Sequence, residues 1–137
     1  MTPRRTARTV PCDRSAATRF LAKARGFLAA ADAVEHEPDA CMVLLVMAGI
    51  AATDAICCAS LGRRSAGSDH RDAVAELQRV PVQGDQLARA LRTLLGSKHA
   101  ASYTETSVGS AEVTAADRAA RRLVDGATRA LAGAPTR

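Results

Sequence analysis

Aromatic residues are almost absent from this chain: Phe20, Phe27 and Tyr103 are the whole set, and there is no tryptophan. Reading single-stranded nucleic acid by base stacking needs exposed aromatic platforms, so that mode is excluded. The cysteines lack metal-ligand spacing as well. Cys12, Cys41, Cys57 and Cys58 form none of the paired motifs that hold zinc, and neither a metal nor a cofactor is expected. No secretory signal precedes them, which predicts reduced thiols in a cytoplasmic protein. Cys57 and Cys58 would point about 100° apart on a helix and act as small apolar packing residues. Alternating apolar and polar runs are missing, and so is any internal repeat; no strand is predicted.

Net positive charge is also missing from most of the chain. The net charge is +5 over 137 residues, but residues 1–25 carry Arg4, Arg5, Arg8, Arg14, Arg19, Lys23 and Arg25 against Asp13 alone, so the remainder sums to −1. The body is therefore no basic nucleic-acid surface. The excess sits in an N-terminal arm and the first helix, where it is either a solvated terminus or a non-specific contact to phosphate backbones.

What is present is alanine, leucine and helical periodicity. Residues 1–14 read as a flexible basic arm, 15–131 as one bundle, and 132–137 as a disordered tail. Ser15 is the expected N-cap of a first helix to about Val34, with Phe20, Ala24, Phe27, Leu28 and Ala31 as its apolar stripe. Glu35-His36-Glu37-Pro38 ends that helix, since Pro38 disfavours a helical residue before it. A second helix runs from Asp39 or Ala40 to Leu61, apolar or glycine throughout from Cys41 to Ala52. It is long enough to span a membrane, but Asp54 lies within it and no basic residue flanks its start. A buried central helix of a bundle is expected instead, with no membrane partner. Asp54 is then a costly carboxylate, either satisfied by an arginine or a neighbouring helix or held for chemistry.

Gly62 fits a left-handed helix end, and Asp69 the N-cap of a short third helix with Asp72 completing a capping box. Asp85 is the expected cap of a fourth helix whose stripe Leu87, Leu91 and Leu94 continues to Lys98. A fifth helix from Ala111 to about Leu131 buries Val113, Ala116, Ala120, Leu123 and Ala127. The expected fold is an all-α up-and-down bundle of four to five helices.

Two clusters carry candidate chemistry. The break Leu61-Gly62-Arg63-Arg64-Ser65-Ala66-Gly67-Ser68-Asp69-His70 holds two phosphate-compatible guanidinium groups, an acid and an imidazole. As the first residue of a helix, His70 sits where the helix dipole disfavours imidazolium and keeps a base available. Arg64 and His70 would supply half of a metal-independent ribonuclease site, and a two-fold dimer the whole. Alternatively, His70 packs while the arginines are solvated or pair with Asp69 and Asp72. The second cluster is Lys98-His99-Ala100-Ala101-Ser102-Tyr103: Lys98 either contacts a ligand or favours the helix C-terminus, and Tyr103 either contacts a ligand or plugs the bundle end.

Over roughly 16–130 the chain resembles a HEPN domain, on Val43–Leu61, on the break through His70 into Arg71-Asp72-Ala73, and on Leu94-Leu95-Gly96-Ser97-Lys98-His99-Ala100-Ala101-Ser102-Tyr103. It is also similar to small actinobacterial proteins with a Leu-Gly-Arg-Arg-Ser, Gly, Asp-His signature. The resemblance implies a HEPN-like bundle acting as a homodimer in a toxin–antitoxin or phage-defence system, with a nucleotidyltransferase as a further partner. Active members are ribonucleases that use Arg, four to six residues, then His. Here the usual place of that motif holds Lys98 and Tyr103, and a phenol with a pKa near 10 is a poor base. The implied activity is therefore binding of a nucleotide or RNA phosphate through Arg63, Arg64, Asp69, His70, Lys98 and Tyr103. The alternatives are catalysis by His70 and Arg64, or a ligand-free module for dimerisation and docking. In nucleotidyltransferase-regulated toxins a nearby tyrosine is adenylylated, and Tyr103 would be its counterpart.

Overall fold

The computed structural model describes residues 8–67 and 69–133; in its fourth helix the side chains of residues 99, 100, 102 and 103 lie outside the described set. The protein is an all-α helical bundle. In chain order it comprises β1 (Thr9–Pro11), α1 (Arg14–Ala33), α2 (Pro38–Leu61), β2 (Arg63–Ser65), α3 (His70–Gln78), α4 (Gly84–Tyr103) and α5 (Ser110–Ala132).

α2 is the hub, packed against α1, α4 and α5. Met42, Leu45, Val46 and Ile56 along it are at most 1% exposed, which is why its sequence has no polar face. It is the one helix among the described residues long and apolar enough to cross a membrane, and most of its length is buried in the protein core. Gly49 brings α2 close to its neighbours, since a Cβ there would lie 2.2 Å from Leu94 Cδ1. Pro38 opens the helix at a position where its missing N–H costs nothing. Asp39, in the first turn, accepts a hydrogen bond from the Val108 amide at 3.0 Å and so anchors the α4–α5 connection.

Caps differ from expectation at two helices. Asp13, not Ser15, caps α1: its Oδ1 accepts from the Ala16 amide at 2.8 Å, while Ser15 Oγ accepts from Arg19 at 2.7 Å. The buried face of α1 is Ala17, Leu21, Ala24, Leu28 and Ala31, with Phe20 and Phe27 at its half-buried margin. α4 begins after Gln83 in the left-handed region (φ 61°), with Asp85 inside its first turn. Gly84 follows because a Cβ there would meet the Leu77 carbonyl oxygen at 2.6 Å. Lys98 is half-buried at the edge of the α4 stripe. Asp69 caps α3 as expected, accepting from the Arg71 amide at 2.9 Å.

The largest departure lies at the N-terminus. Gly62, left-handed at φ 70°, closes α2 and turns the chain into β2. β2 pairs antiparallel with β1 in the register Thr9↔Ser65, Val10↔Arg64 and Pro11↔Arg63. A Cys12–Cys58 disulfide fastens the pair to the last turn of α2. From Thr9 onward the expected free arm is therefore tethered, and Cys58 is a cross-link rather than a packing thiol. Cys41 and Cys57 remain free and buried. Residues 1–7 and 134–137 of the expected arm and tail lie outside the described residues.

Candidate functional site

Side chains alternate along a strand, and β2 uses that alternation to separate its two arginines. Arg63 Nε lies 2.6 Å from Oε1 of Glu76, a carboxylate whose side chain is 4% exposed. Arg79 reaches the other oxygen of Glu76 at 3.5 Å. The hydrogen bond and charge of Glu76 hold the Arg63 guanidinium above its ordinary pKa. Arg63, a candidate ligand contact by sequence, thus acts in the fold by neutralising a buried acid.

Arg64 points the other way. Its guanidinium carbon stands 5.2 Å from the centroid of the Phe20 ring, a cation–π contact. Its remaining hydrogen bond is a donation from Nη1 to the Ser65 carbonyl at 3.3 Å. No carboxylate pairs with it among the described residues. Arg64 borders two concavities. The larger is an open cleft of about 720 Å³ formed by β1 and the first half of α1, lined by Asp13, Arg19, Phe20 and Lys23 together with Arg64. The Asp13 carboxylate is engaged at the helix cap, so the cleft is cationic, with one aromatic face.

The smaller concavity, about 190 Å³, lies among α2, β2, α3 and α4 and is lined by Asp54, Arg64, Ser65, His70 and Leu91. Here the structure brings together Arg64, His70 and Asp54, all three singled out by sequence. Burial raises the Asp54 carboxyl to a pKa of about 6, against the opposing pull of Arg64 and Lys23. Burial also lowers the His70 pKa, helped by the nearby Lys98 charge and opposed by Asp69. Burial and the Lys98 charge both favour the neutral imidazole over the imidazolium. Ser65 Oγ is buried with no hydrogen-bond partner among the described residues.

The other expected site residues fall elsewhere. Asp69 caps α3 and holds Arg71 by ion pairing at 2.7 Å. Lys98 acts on His70 through its charge, while the Tyr103 side chain lies outside the described residues. Among the described residues no group of three or more His, Cys, Asp or Glu side chains is placed to hold a metal. Sequence reasoning missed Arg19 and Lys23 as site residues. Their four-residue spacing put both on one face of the first helix, but nothing in the sequence showed that β1 would wall that face.

The chain matches no protein-family model, no curated protein and no solved structure, so geometry alone carries the functional reading.

Proposed function

We propose that the protein binds a phosphate group, of a nucleotide or of RNA, in the cleft between α1 and β1–β2. The observation that carries this reading is the convergence of Arg19, Lys23 and Arg64 beside the Phe20 ring on one open cleft. An arginine with no carboxylate partner among the described residues, held by an aromatic face, keeps its donor fork for an oxyanion. The resemblance to HEPN domains agrees with such a ligand. On that resemblance the protein works as a homodimer beside a nucleotidyltransferase, in a toxin–antitoxin or phage-defence pair. Fluorescence anisotropy with a labelled oligoribonucleotide, and calorimetry with ATP, test the proposal. Arg64→Ala is expected to weaken binding about tenfold or more, as loss of a charged hydrogen bond does, and Arg63→Ala to leave it unchanged. Absence of binding by the wild type, or equal affinity in Arg64→Ala, overturns it.

A second reading has one observation in its favour: Arg64 and His70, whose burial favours the neutral imidazole, border the same small cavity. A metal-independent ribonuclease would use His70 as base and Arg64 on the phosphate. Cleavage of RNA in EDTA that His70→Ala abolishes would establish it; an intact substrate removes it.

A further inference from the structure

We infer that the Cys12–Cys58 disulfide is a redox latch on the cationic cleft: reduced by a dithiol, it frees β1, dismantles one wall of the cleft and weakens phosphate binding. The inference rests on the phosphate-binding reading for its functional half.

Three observations carry it. First, Val10, Pro11, Cys12 and Asp13 form one side of the cleft, so the stability of β1 is the stability of the site. Second, β1 has little else to hold it. Apart from the disulfide it is a three-residue strand with an exposed, half-buried, exposed pattern. Among the described residues its ladder to β2 is extended only by Cys12 N–H donating to the Gly62 carbonyl at 3.0 Å and Ala66 N–H donating to the Arg8 carbonyl at 2.9 Å. An isolated two-stranded pair of that length is marginal in water. Third, the two cysteines differ in access. Cys12 borders the open cleft, whereas Cys58 is 2% exposed.

This asymmetry gives the chemistry a direction. The thiolate of an external dithiol attacks Cys12 Sγ, the S–S bond breaks, and Cys58 leaves as a thiolate that takes up a proton. The second thiol of the reductant then displaces Cys12, which is protonated in turn. Two electrons and two protons pass to the protein, and the reductant ends as its cyclic disulfide. The neighbouring Cys57 does not intervene, since burial pushes its thiol up to about 12 and keeps it protonated. A disulfide opened this way belongs with the transient, redox-sensing ones of a reducing compartment, which brings a cytoplasmic location, expected from the sequence, into accord with the cross-link.

The experiment compares the full chain oxidised, reduced with dithiothreitol and reoxidised, together with Cys12→Ser. Amide hydrogen exchange and anisotropy with a labelled oligoribonucleotide are the readouts. Reduction and Cys12→Ser are both expected to speed exchange at Val10 and Cys12 while α2 and α5 stay protected. Both should weaken oligoribonucleotide binding about tenfold, and reoxidation should restore the wild type alone. Unchanged exchange in β1, or freed β1 with unchanged affinity, overturns the latch. If the oxidised wild type binds no oligoribonucleotide, the phosphate reading and the coupling both fall, and exchange still decides whether the disulfide holds β1.

Discussion

Arg63 and Glu76 meet at 2.6 Å across the β2–α3 junction, the arginine reaching in from the surface and the carboxylate almost wholly buried. The pair is asymmetric, and removing either partner should not cost the same. Arg63→Ala strands a buried carboxylate with only the longer contact to Arg79, whereas Glu76→Leu leaves an arginine free to turn into water. Urea denaturation is expected to give a lower midpoint for Arg63→Ala than for Glu76→Leu, with the slope unchanged. Equal midpoints would show that the buried charge is compensated elsewhere.

Arg64 should respond to the shape of its cation as well as its charge. Arg64→Lys keeps the charge but loses the planar fork over Phe20, so oligoribonucleotide affinity should fall between the wild type and Arg64→Ala. Lys23→Ala should lower the slope of log affinity against log salt by about 1. Anisotropy titrations at several salt concentrations read both effects.

Asp54 makes stability depend on pH with a definite sign. Its folded pKa, about 6, lies above the ordinary 3.8, so the folded state binds the proton more tightly. The stabilisation is complete below pH 3.8 and is lost as pH rises to about 6. Asp54→Asn is therefore expected to be more stable than the wild type at pH 7.5, by up to about 3 kcal/mol, and no more stable at pH 3.5. His70, with a lowered pKa, acts in the opposite sense, its contribution complete above the ordinary 6.5 and fading as pH falls below it. Denaturant midpoints measured across pH for Asp54→Asn and His70→Gln separate the two.

Gly49 marks the closest packing of α2. A methyl group there meets Leu94 Cδ1 at 2.2 Å and Leu123 Cδ1 at 3.3 Å. Despite the better helix propensity of alanine, Gly49→Ala is expected to destabilise by about 1–3 kcal/mol. Gly26→Ala, with open space around its Cβ, should stabilise. Thermal unfolding of the two variants gives opposite shifts if the packing is as described.

The cross-link should be worth a measurable share of stability. Cys12 and Cys58 are 46 residues apart in sequence, and closing a loop of that size in the unfolded chain is worth about 4 kcal/mol in the entropic account. Cys12→Ser should lower the urea midpoint accordingly.

The five helices were legible because their stripes and punctuation agree. Pro38 marks the break between α1 and α2, Gly62 closes α2 in the left-handed region, and Asp69 caps α3. Asp54 was legible as a strained carboxylate because its neighbours are apolar for turns on either side. The strand pair was not, since three residues are too few to show an alternation. The disulfide was hidden for a related reason: adjacent Cys57 and Cys58 look alike in sequence, and only the reversal of the chain after Gly62 places Cys58 rather than Cys57 against Cys12. With β1 unseen, the cleft and the parts played by Arg19 and Lys23 were unseen too. Arg63 and Arg64 read as one basic pair because strand alternation matters only once a strand is known.

That alternation makes chain length at β2 a functional quantity. Arg63 faces Glu76 and Arg64 faces the cleft because the left-handed Gly62 delivers the chain to β1 in one register. Inserting one residue between Gly62 and Arg63 would exchange every side chain between the two faces. Arg63 would then be carried toward the cleft, and the inserted residue, not an arginine, would be left opposite the buried Glu76. This connection therefore tolerates changes of residue type far better than a change of length.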